Sequence, residues 1–179
     1  MRIDPRYFNI FMVMVAVVAA ILIVITTMSY ISGREAKFQQ QMMEVDSLAY
    51  TQFPYMGRND SLQLTQFEGR YLLLDFWSTW SDPAIASHKE LMNMPTRYLD
   101  TLSVIAASVR IDSGEALSYK RRYNYPFIFV DGTDFFHRMN LPGVPSQVLF
   151  NPKGEVIATF VGYTDSTRYD SLKTLIQDE

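Results

Sequence analysis

Residues 7 to 32 read YFNIFMVMVAVVAAILIVITTMSYIS and contain no charged side chain. This stretch constrains the chain more than any other. The 22 residues from Ile10 to Ile31 would extend about 33 Å as a helix, enough for a hydrocarbon core roughly 30 Å thick. Tyr7, Phe8 and Tyr30 stand where interfacial aromatics belong. A cleaved signal peptide would have a shorter apolar region and small residues at a cleavage site. Thr26 to Tyr30 offer no such site, so the stretch predicts an uncleaved single-pass helix at 10–31. Arg2 and Arg6 lie on one side, Arg34 and Lys37 on the other. The count of basic residues therefore leaves orientation open.

The remainder predicts a short tail at 1–9, a juxtamembrane stalk at 32–50 and a globular domain at 51–179. In the stalk, Phe38, Met42, Val45 and Ala49 follow helical spacing. Short alternating runs around Asn59-Asp60 suggest a hairpin. YLLLDFW (71–77) and LSVIAASV (102–109) are continuous apolar runs of strand length. Helical patterns are expected at 83–98, with Pro95 kinking or ending the first, and at 115–123, 133–139 and 166–178. Further strands are expected at 126–130, 146–151 and 155–162, the last two joined by a Pro152-Lys153-Gly154 turn. Alternating buried strands and helices imply an α/β domain with central parallel strands and an antiparallel closing hairpin.

The chain holds no cysteine. This excludes a disulfide, a thiolate nucleophile, an Fe–S cluster and a cysteine zinc site. The net charge of −3 argues against a nucleic-acid partner, which requires a basic face. The triplet Lys120-Arg121-Arg122 is expected on a solvated helix face.

Two motifs carry a resemblance. LTQFEGRYLLLDFWSTW runs into a helix, and GVPSQVLFNPKGEV follows later with VGYT after it. Together they resemble the thioredoxin superfamily, in particular its exported, membrane-anchored TlpA-like branch, over roughly residues 50 to 179. The resemblance implies a thioredoxin-like fold, a central mixed β-sheet flanked by helices, with a cis peptide bond at Pro145. The departure lies in the slot after Trp80. The family has Cys-x-x-Cys there, and this chain has Ser81, Asp82, Pro83 and Ala84. Serine and alanine cannot supply a disulfide or a stabilised thiolate. The family's thiol–disulfide exchange therefore does not carry over, and the chain is expected to be non-catalytic.

Each motif residue has an expected place. Ser81 reads as an N-cap, with Asp82 favouring the helix dipole and Pro83 suiting the first turn. Asp75 occupies the position of the family's buried acid; lacking a thiol to serve, it needs a hydrogen-bond partner or a proton. In the family, the residue before the cis-proline offers its backbone to an extended substrate. That resemblance assigns Trp80, Ser81, Asp82, Pro83, Val144 and Pro145 to a polypeptide-binding groove. The implied protein is redox-inactive, anchored in the inner membrane through 10–31, with its domain in the periplasm or outside. Its implied partner is a protein or extended polypeptide client of the envelope; no cofactor and no metal are expected. The alternative is an enzyme with non-thiol, metal-dependent chemistry. His88 and Met92 at i, i+4, with Met94 nearby, offer imidazole and thioether ligands for it. His137 is read as structural.

Overall fold

The computed structural model describes residues 5–44, 50–94, 98, 100–162 and 166–177. Its residue contacts divide the chain into two units, Met1–Lys37 and Phe38–Glu179.

Helix α1 spans Pro5–Glu44. From Phe8 to Tyr30 every side chain is exposed. An apolar stripe on one side would mark a helix that packs on protein, whereas apolar residues on all sides suit lipid. The segment is long and apolar enough to cross a membrane once, with a mean hydropathy of 3.0 over its most apolar window.

The last turns of α1 belong to the second unit. Phe38 and Met42 are 2 % and 1 % exposed, within a cluster that includes Phe53, Leu62, Phe76 and Phe135. The stretch read as a stalk thus supplies core residues. The helical spacing was legible, but a domain start at 51 leaves out two of the largest buried side chains. Val45 and Ala49 lie outside the described residues.

The second unit is built on a five-stranded sheet of order β5-β4-β3-β6-β7. Its strands are β3 (Tyr71–Trp77), β4 (Leu102–Ser108), β5 (Ile128–Asp131), β6 (Ser146–Phe150) and β7 (Val156–Val161). β3 pairs parallel with β4, and β4 parallel with β5. β6 is antiparallel to both β3 and β7. A small hairpin, β1 (Gln52–Pro54) and β2 (Ser61–Gln63), precedes them. The helices are α2 (Asp82–Met92), α3 (Ser113–Tyr123), α4 (Thr133–Arg138) and α5 (Ser166–Gln177). α2 is shorter than its sequence pattern, ending with a cap at Asn93; Pro95 lies outside the described residues.

β3 is the central strand, and all seven of its residues are buried. Because side chains alternate across a strand, Tyr71, Leu73 and Trp77 enter one core layer with Ala84, Leu91 and Phe129. Leu72, Leu74 and Phe76 enter the other, with Phe53 and Phe135. Covering both faces explains the uninterrupted apolar run. The alternation also sends Asp75 to the Trp77 side, where α2 packs.

Candidate functional site

The site lies where β3 ends and α2 begins. Ser81 is the N-cap of α2, with extended backbone, and its hydroxyl accepts the Ala84 N–H at 3.4 Å. The same hydroxyl donates to the Val144 carbonyl at 3.2 Å. One serine thus ties the helix start to a loop 63 residues away in sequence. In that loop the Val144–Pro145 peptide bond is cis. The Pro145 carbonyl accepts from Gly162 N–H at 2.9 Å, and Ser146 Oγ donates to the Gly143 carbonyl at 2.6 Å. The loop is therefore held from both sides.

The groove residues differ in exposure. Trp80 is 61 % exposed, and Asp82 and Pro83 are exposed beside it. Ser81 and Pro145 are buried, and Val144 is intermediate. Among the described residues, Val144 N–H has no hydrogen-bond partner. Ala84, at the second cysteine slot, is fully buried.

Below the helix start lies a polar layer that the sequence reading did not assemble. On α2, Ala84, Ser87, His88 and Leu91 form the buried face, the i, i+3, i+4, i+7 set of an amphipathic helix. His88 Nε2 comes within 2.8 Å of Asp75 Oδ2, with both side chains fully buried. The approach is short but not aligned as a hydrogen bond, so its attraction is chiefly electrostatic. His88 Nδ1 meets the Tyr119 hydroxyl at 3.1 Å, and that hydroxyl donates to Tyr125 at 3.5 Å. Around the imidazole stand the rings of Trp77 at 4.9 Å, Phe127 at 5.3 Å and Tyr125 at 5.5 Å. A second strand of the network joins β6, α2 and α5. Gln147 Nε2 donates to Ser87 Oγ at 2.9 Å, and Tyr169 donates to the Ser87 carbonyl at 2.7 Å.

This geometry sets His88 beside Asp75 as its ion-pair neighbour, while neither carboxylate oxygen has a hydrogen-bond partner among the described residues. It also corrects the alternative reading of His88 as a metal ligand. Both ring nitrogens face partners inside the core, whereas Met92, one turn on, is 37 % exposed. The two do not converge on one site. Met94 is buried apart from them in the apolar core. No group of three His, Cys, Asp or Glu side chains that could hold a metal ion occurs among the described residues. His137 instead accepts from Arg110 Nε at 3.3 Å. Tyr119, Tyr125, Ser87, Gln147 and Tyr169 were missed. The available signal was the need of a buried carboxylate for partners, but no sequence spacing identifies which distant residues supply them.

Burial raises the Tyr119 phenol well above the usual tyrosine range, and the neighbouring Tyr125 adds to the shift. Burial raises Tyr125 as well. An unfolded tyrosine titrates near pH 10. Above that pH the unfolded chain releases a proton that folded Tyr119 keeps. Protons bound in the unfolded state are then fewer, and stability falls as pH rises. The expected slope is about 1.4 kcal/mol per pH unit for one such proton. Chemical denaturation between pH 8 and 11 should show this loss beginning near pH 10. Tyr119→Phe should flatten the slope, whatever it does to stability at neutral pH. An unchanged alkaline slope in that variant would remove Tyr119 from the account.

No family model matches the chain. It is 24 % identical over 121 residues to the thiol-disulfide oxidoreductase ResA of Bacillus subtilis, covering 64 % of this chain and 66 % of that protein. Among solved structures, a secreted disulfide oxidoreductase of Mycobacterium tuberculosis superposes with a TM-score of 0.61 at 19 % identity. That match covers 74 % of this chain and 98 % of the other. A thiol-disulfide oxidoreductase of Bacteroides fragilis gives 0.58 at 21 % identity, covering 70 % and 96 %.

The chain has the thioredoxin-like fold. Its similarity is to thioredoxin-fold thiol-disulfide oxidoreductases, in keeping with the TlpA-like resemblance of the sequence. The chain spans just under two thirds of the Bacillus subtilis relative. These comparisons correct the expectation of a non-catalytic chain, because the proteins it resembles are named as enzymes. What sets this thioredoxin-like domain apart is atomic: it has no cysteine, so the sulfur atoms of a dithiol are not present at Ser81 and Ala84.

Proposed function

We propose that this protein is a membrane-anchored thioredoxin-like domain that holds an extended polypeptide segment in the cell envelope, without thiol exchange. The observation that carries the proposal is the Ser81–Val144 hydrogen bond. It holds the helix start against the cis-proline loop while the Val144 N–H remains without a described partner and Trp80 stands exposed. A backbone donor beside an exposed aromatic side chain suits an extended peptide. The strand-like backbone would pair with Val144, and an apolar side chain would cover the indole. The absent thiols do not affect such binding, because neither contact uses sulfur. In this reading α1 anchors the domain to the inner membrane, with the domain on the periplasmic or outer side.

Two measurements test it. A photo-crosslinking residue at exposed position 82, beside Trp80, in the full chain in its native membrane, should capture a polypeptide that the same residue at exposed Glu68 does not. Trp80→Ala and Val144→Asp should each weaken that capture by about tenfold or more, the range of a central aromatic contact. Equal recovery of the same partners by the wild type and both variants would show that the groove is not the interface. The side of the membrane is read separately. Because the chain has no thiol of its own, Lys153→Cys introduces one labelling position on an exposed turn. An impermeant maleimide should label it in intact spheroplasts; labelling only after lysis places the domain in the cytoplasm.

A further inference from the structure

The turn between β1 and β2 docks beside β5 and leaves a cavity of about 300 Å³. It shares none of its lining residues with the Trp80–Val144 groove. Tyr55, Met56 and Arg58 form one wall, Leu117 and Lys120 of α3 another, and Phe129 of β5 the floor.

The walls are held in place. Tyr55 N–H donates to the Asp60 carbonyl at 2.9 Å, and Met56 N–H to the Phe129 carbonyl at 3.2 Å. The Met56 sulfur accepts from the Ser113 hydroxyl at 3.3 Å. Gly57 has φ +73°, and a Cβ there would lie 2.8 Å from Leu117 Cδ1. The turn therefore runs its backbone directly against α3, in a conformation that favours glycine.

Two cations reach this cavity. The Arg58 guanidinium lies 5.8 Å from the centre of the Tyr55 ring, and the Lys120 ammonium 5.5 Å from that of Phe129. Neither forms an ion pair with a carboxylate among the described residues, and the lining contains no acidic side chain. The chain as a whole carries −3, so this concentration of positive charge is local. A ring face attracts a cation but leaves its N–H groups unused. Those donors can serve an anion, while the rings and Leu117 accept an apolar body. The volume lies at the small end of ligand pockets.

We propose that this cavity binds a small organic anion with a planar apolar body, in chemical class an aromatic carboxylate. Its carboxylate sits between Arg58 and Lys120 and its ring lies against Phe129. Lys120 accordingly differs from the neighbouring Arg121 and Arg122, which are exposed on the same helix.

The test uses the full chain in lipid nanodiscs with methionine methyl groups labelled with carbon-13. Met56 reports from the cavity wall, and Met42 and Met94 report from the core elsewhere. Titration with 2-naphthoate should move the Met56 signal saturably and leave those of Met42 and Met94 in place. 2-Naphthamide, which has the same ring without the charge, should bind at least about tenfold more weakly, as expected from losing charge-assisted hydrogen bonds. Acetate should not saturate the site in the same range. Arg58→Met with Lys120→Met should reproduce the weakening for naphthoate. The proposal fails if Met56 does not respond to naphthoate, if the amide binds as tightly, or if acetate does. It fails equally if the double variant, with core methionine signals unchanged, binds naphthoate like the wild type. The comparison of acid and amide needs no variant, so it decides the matter even if the double variant misfolds.

Discussion

Replacing His88 with leucine, while Asp75 stays, is expected to lower the unfolding free energy by about 3–5 kcal/mol. The carboxylate is fully buried at the centre of the sheet, and the imidazole lies 2.8 Å away. Removing the imidazole leaves the buried carboxylate without its neighbour in a low-dielectric core. Leucine packs among the aromatic rings that surround position 88, so cavity formation contributes little to the loss. Asp75→Leu with His88→Leu should recover most of the stability, because a packed apolar pair often matches or exceeds a buried ion pair. Urea titration of the four proteins in the cycle reads the coupling directly. If the double variant is as unstable as His88→Leu alone, the loss comes from the packing of the histidine and not from the stranded carboxylate.

The second large effect concerns the end of α1. Phe38→Ala is expected to cost about 3–5 kcal/mol and Met42→Ala about 2–5 kcal/mol. Both side chains are almost fully buried against the first hairpin and α4, and Gln41, on the same stretch, donates to the Met139 carbonyl at 2.8 Å. A domain of this size is stable by only about 5–15 kcal/mol, so the double variant approaches the unfolding threshold. A fragment beginning at residue 51 should consequently lack a cooperative denaturation transition, whereas one beginning at 34 should retain it. Equal midpoints for the two fragments would mean that the helix end contributes no stability.

This second prediction concerns a boundary that sequence pattern placed differently. Periodicity showed that Phe38 and Met42 lie on one helical face, and it could not show what covers that face. Glutamines and glutamate surround them in the chain, so the stretch has the composition of a solvated linker. The covering residues, Phe53, Leu62 and Phe135, come from elements near and far in sequence. Only their assembly makes the stretch part of the core.

The candidate site divides in the same way. The N-cap at Ser81 was legible because capping is local: the hydroxyl serves an N–H three residues on. The second use of that hydroxyl, toward Val144, was not legible, because it joins segments 63 residues apart. The family resemblance implied a buried acid at Asp75. Its pairing with His88 depends on the packing angle of α2 across β3. Lys120 gives a further contrast. A charge run predicts solvated side chains, and Arg121 and Arg122 conform. Lys120 turns toward Phe129 because its helix face meets the edge of the sheet.

The sequence by itself determined the apolar span, the absence of sulfur chemistry at Ser81 and Ala84, and the alternation of elements that yields the sheet. These follow from composition and from periods of two and 3.6 residues, which the local backbone enforces. The tertiary structure alone decided where the domain begins, which residue partners the buried carboxylate, and which basic side chains converge at one cavity. Each of these is a meeting of residues distant in the chain, fixed by how helices and strands pack, and no local pattern encodes the register of that packing.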